Sequence, residues 1–133
     1  MMRKTFFLLL AAALVLGACR KRMSDELTHD SARAAAERFY GMLIQGECEA
    51  YVNALEGNDV RDSLTRCEMI DAVTQYVEHE NETHQGLRQV VAVSDTIFAD
   101  SLCTVSLDVT YGDSLVEHVV LPLVFSGGEW RIR

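Results

Sequence analysis

From Cys103 to Arg133 the chain alternates apolar and polar residues with a period of two, and this constrains the fold more than any other stretch. Cys103, Val105, Leu107, Val109 and Tyr111 form one apolar series. Val119, Leu121, Leu123 and Phe125 form a second, and Trp130 and Ile132 a third. Such alternation sends these side chains to one face of a sheet and Thr104, Ser106, Asp108 and Thr110 to the other. The connections, Gly112-Asp113-Ser114 and Ser126-Gly127-Gly128-Glu129, are short and rich in turn residues, as antiparallel hairpins require. The chain therefore closes in an antiparallel sheet with one apolar face that needs cover.

The cover has to come from upstream. Asp30 or Ser31 is placed to cap a helix running to Gln45, with Gly46 at its end. Ala32, Ala35, Ala36, Phe39, Met42 and Leu43 make its apolar stripe, and Arg33 and Glu37 form an i,i+4 pair on another side. Glu47–Leu55 reads as a short helix ending at Gly57. A longer one lies between Asp59 and Glu82, with the stripe Met69, Ile70, Val73, Tyr76 and Val77. Val60 and Leu64 fall off that stripe, which predicts a separate turn of helix before it. Leu87–Phe98 reads as the first strand, although Val90, Val91, Ala92 and Val93 run on without alternating. Asp100 and Ser101 turn it into the closing hairpins.

The first residues stand apart. Arg3 and Lys4 precede an apolar run, Phe6–Leu16, that is short for a membrane span. It ends in Leu16-Gly17-Ala18-Cys19, which resembles the lipobox at which bacterial lipoproteins are cleaved and lipidated on the cysteine. Residues 1–18 are then a signal peptide, 19–29 a lipidated cysteine and polar tether, and 30–133 a single domain. Several acyl chains on Cys19 anchor the protein stably in the cell envelope. By resemblance to the sorting rule of enteric bacteria, Arg20 in place of aspartate implies the outer membrane. Arg3 and Lys4 leave with the signal and no acid does, so the formal charge falls from −8 to −10. So acidic a body argues against nucleic acid, whose phosphates need clustered Lys and Arg. Arg20, Lys21 and Arg22 follow the anchor directly, where lipid headgroups are the nearest partner.

No catalytic signature stands out. His79 and His84 are five residues apart, whereas paired helical metal ligands sit at i,i+4. There is no phosphate loop, nucleophile elbow or C-x-x-C, and no cofactor or metal is implied. Outside the cytosol disulfides persist, and Cys48 and Cys67 are the expected pair, with Cys103 in the core by its strand parity.

The order of elements, with Phe39 and Tyr40 in the first helix, Gly46-Glu47-Cys48-Glu49-Ala50-Tyr51-Val52 after it and Gly128-Glu129-Trp130-Arg131-Ile132 at the end, resembles small bacterial lipoproteins of the nuclear transport factor 2-like superfamily. The resemblance implies an α+β fold in which N-terminal helices pack on a curved antiparallel sheet, forming a cone that sometimes encloses a pocket. The superfamily includes isomerases and dehydratases that use an Asp, His or Tyr set inside the cone. Here Asp108 and His118 have outward parity. Tyr111 and Glu117 have inward parity at strand ends, and Tyr40 lies at the edge of its helix stripe, so these three are the pocket candidates. The reading favours a non-catalytic binding or accessory module whose partner is a protein or a small hydrophobic ligand. An isomerase- or dehydratase-type enzyme is the alternative, and a purely structural envelope protein a third. Fold alone does not decide among them.

Overall fold

The computed structural model describes residues 27–133. The residues read as a signal segment and Cys19, with most of the expected tether, lie outside the described residues. The elements are α1 (His29–Ile44), α2 (Cys48–Asn53), a single 3-10 turn (Asn58–Val60), α3 (Ser63–His84), β1 (Leu87–Phe98), β2 (Leu102–Tyr111), β3 (Val116–Ser126) and β4 (Glu129–Ile132). The four strands form one antiparallel meander in chain order. Helices cover one face of this curved sheet, and the architecture is the expected α+β cone.

Strand parity holds throughout β2. Cys103, Val105, Leu107, Val109 and Tyr111 are all buried, and the residues between them are not. Asp108 and His118 are cross-strand partners on the outer face and hydrogen-bond to each other there. The continuous run in β1 has a physical cause. Its register against β2 shifts between Leu87 and Gln89 and again between Ala92 and Ser94, and each shift breaks the alternation. Beside the second shift, the Ala92 amide donates to Glu37 Oε1 of α1 at 2.9 Å.

Helix α1 lies against the sheet with Ala32, Ala35, Ala36, Phe39, Tyr40 and Leu43 buried. Its cap is Thr28, two or three residues earlier than expected. The Thr28 hydroxyl accepts from the Ser31 amide, and the Ser31 side chain accepts from the Thr28 amide, a reciprocal capping box. Arg33, read from the sequence as a partner of Glu37 along the helix, is bonded to the sheet. It reaches β1, where Arg33 Nε donates to Asp95 Oδ1 at 2.5 Å and His29 Nδ1 meets the other carboxylate oxygen. The Asp95 side chain is 1% exposed. Burial alone would raise its pKa, but the hydrogen bonds from His29 and Arg33 overcome that and hold it below the usual carboxylate range. At the other edge of the sheet, Trp130 Nε1 donates to Ser31 Oγ at 2.9 Å. The short β4 is extended by the end of α2, with Ile132 N donating to Ala54 O and Glu56 N to Ile132 O. That contact closes an edge that would otherwise present free backbone groups.

The long helix α3 is a single element from Ser63, capped by Asp62, whose carboxylate accepts from the Thr65 amide at 2.7 Å. The separate turn before it is the 3-10 turn, and Val60 and Leu64 are exposed as their phase required. Of its stripe only Val77 is fully buried. Its exit is tight. Gln85 and Gly86 are both left-handed, and a side chain added at Gly112 would stand 2.4 Å from the Gln85 carbonyl oxygen. Cys48, Cys67 and Cys103 are free thiols in this structure. Cys48 opens α2 facing the core while Cys67 sits exposed on α3, so the expected bond between them is not formed here.

Candidate functional site

The three helices and the sheet do not meet completely. Between them is an open cavity of about 360 Å³ lined by Tyr40 and Leu43 of α1, Tyr51 of α2, Val73 and Tyr76 of α3, and Leu121 of β3, with Ala72 and Val119 completing the wall. Its position follows from the packing. Tyr40 and Leu43 are the last buried residues of α1, and beyond them the helix ends and α2 turns away. Helix α3 crosses this gap without sealing it, because Val73 and Tyr76 are only partly buried.

The chain has four tyrosines, and all four gather here. The Tyr40 and Tyr76 hydroxyls are 3.4 Å apart. Tyr51 lines the wall beside them. Tyr111, buried at the end of β2, donates its hydroxyl proton to Glu117 Oε2 at 2.6 Å. Glu117 shares the inward parity of Val119 and Leu121 on β3 and is exposed, so its carboxylate stands at the rim. Behind Tyr111, the His84 ring lies 5.2 Å away, tilted by 52°, and His84 Nδ1 is 2.9 Å from Asp113 Oδ2.

Burial raises the pKa of Tyr40, and its hydrogen bond to Tyr76 raises it further. Tyr51 is raised chiefly by burial. Tyr111 is raised by burial, then by the bond to Glu117 and by the Tyr76 hydroxyl nearby. These phenols therefore stay protonated across the physiological range and act as hydrogen-bonding groups and apolar rings, not as bases. Among the described residues, no lysine, arginine, Asp or His lines the cavity.

Of the three pocket candidates read from the sequence, Tyr40 is in the wall, and Tyr111 is buried nearby, bonded to the exposed Glu117. Tyr51 and Tyr76 were read only as members of apolar stripes. The signal available was parity: every tyrosine in the chain occupies an inward-facing position. His79 and His84 do not form a ligand pair, since His79 faces Thr83 and His84 is bonded to Asp113.

No family model matches the chain, and no curated protein matches it in sequence. Among solved structures it is similar to a Campylobacter jejuni protein provisionally named an NTF2-like transpeptidase, with a TM-score of 0.61 at 14% identity, over 74% of this chain and 94% of that one. At that identity the likeness speaks for the fold, and the chain has the nuclear transport factor 2-like fold.

Proposed function

We propose that this chain is a non-catalytic binding module of the bacterial cell envelope, anchored through lipid on Cys19, and that the tyrosine-lined cavity receives a small ligand. One observation carries the reading. Tyr40, Tyr51 and Tyr76 line an open apolar cavity with Tyr111 buried behind them, burial raises the pKa of Tyr40, Tyr51 and Tyr111, and among the described residues no carboxylate lines it. A cavity with hydrophobic walls and a few convergent hydroxyls is what small-molecule recognition uses. At about 360 Å³ it lies at the small end of ligand pockets, which run from about 300 to 1,000 Å³.

The Tyr111–Glu117 pair favours a second reading. A carboxylate bonded to a phenol at an apolar cavity is an arrangement that can serve general acid–base chemistry, as in an isomerase or dehydratase. Native mass spectrometry of protein extracted from its own membranes tests the first reading. A small molecule should co-purify and be lost from Tyr76→Ala. Extraction of ligand-free protein, or equal occupancy of Tyr76→Ala, would remove the cavity from the proposal. Turnover of such a molecule, abolished by Glu117→Gln, would install the enzyme reading instead.

A further inference from the structure

Resting on the proposal that the cavity is a binding site, we infer that its ligand is an organic cation with a methylated ammonium head. The argument starts from charge. Among the described residues the lining carries no lysine or arginine, and the Glu117 carboxylate lies close by, bonded to Tyr111 and near enough to Tyr40 to act on it electrostatically. The protein as a whole has a formal charge of −8. An anion would meet a carboxylate at the entrance and no counter-charge within. A cation meets the reverse, and Glu117 steers it in.

The aromatic content points the same way. Tyr40, Tyr51 and Tyr76 share one small wall, and ring faces attract ammonium groups when desolvated, with tyrosine among the better partners. Leu43, Val73 and Leu121 fill the rest with methyl groups, which match methylated nitrogen in size and polarity.

Hydrogen-bond accounting then separates methylated from primary ammonium. A buried primary ammonium carries three N–H donors that each need an acceptor. Tyr40 and Tyr76 share one bond and Tyr111 gives its proton to Glu117, so a primary ammonium would have to find three acceptors among the remaining lone pairs of phenols set in an otherwise aliphatic wall. A quaternary or heavily methylated nitrogen has no such need. It requires only ring faces, apolar contact and a carboxylate nearby.

The test uses choline as the probe and 3,3-dimethylbutan-1-ol as its uncharged isostere, titrated calorimetrically against the full chain in maltoside micelles. Choline should bind about tenfold or more tightly than the alcohol. Glu117→Gln should weaken choline about tenfold and leave the alcohol unchanged. Tyr76→Phe should retain choline binding and Tyr76→Leu lose it, with an unchanged Tm showing that each variant is folded; both sites are partly exposed. Equal or tighter binding of the alcohol, or indifference of choline to Glu117→Gln, overturns the cation while leaving a small-molecule site in place. If neither probe binds, the methylated cation falls, while the binding-site reading stands or falls on the co-purification test.

Discussion

Leu107 and Ser106 are neighbours in β2 with opposite fates. Leu107 is fully buried, whereas Ser106 points to the outer face. Leu107→Ala should cost about 2–5 kcal/mol through lost burial and the cavity left behind, and Ser106→Ala very little. Equal losses in urea denaturation would mean the sheet register is wrong by one residue. Asp95 makes a different kind of prediction. Its folded pKa lies below the unfolded value of about 3.9, so it favours folding at every pH above that value. The contribution fades as the pH falls through the folded pKa. The urea midpoint of the wild type should therefore drop on acidification below about pH 4. Asp95→Asn should be less stable at neutral pH and flatter in acid; parallel profiles would show that His29 and Arg33 do not stabilise the charged form.

At the level of elements, the exit of α3 depends on one backbone approach. Gly112 lies against the Gln85 carbonyl, and its amide donates to Gly86 O at 2.8 Å. Gly112→Ala should lower the Tm by several degrees because backbone has to move, whereas Gly41→Ala, with open space around it, should not. The hairpins were legible because β2 alternates without a break, and the helices because their stripes keep one phase. The start of α1 was less so, since Thr28, Asp30 and Ser31 are all good caps and only the geometry selects Thr28. The site was legible in part. Tyr111 and Glu117 could be placed by strand parity, but Tyr51 and Tyr76 sit on apolar helix faces, where an aromatic residue reads as core. Only the gap between the end of α1 and the crossing of α3 turns those core positions into a wall, and such a gap arises from the packing of distant segments.

For the whole molecule the first question is attachment. Among the described residues no helix is long and apolar enough to cross a membrane. Cys19→Ser should give a precursor that is neither cleaved nor labelled by radioactive fatty acid in the producing bacterium. Processing and acyl labelling of that variant would remove Cys19 as the anchor.

Helix α3 has a consequence for kinetics. It runs for 22 residues yet buries only Val77 fully. It is fastened at its ends, by Arg66 to Glu49 and Asn53 of α2 and by His84 to Asp113 of the β2–β3 hairpin. An element with so little apolar contact opens in low-energy excursions of its own, well before the sheet does. Backbone amides from Ile70 to Val77 should exchange with deuterium far faster than those of Val105 and Leu107, and pulse labelling with mass spectrometry can follow both. Uniform protection across α3 and β2 would show that the two open as one unit. With separate opening, the middle of α3 acts as a turnstile. The cavity is open at its mouth, so the breathing of this one helix modulates how long anything stays in it, and substitutions on the outer face of α3 that never touch the bound molecule change that time.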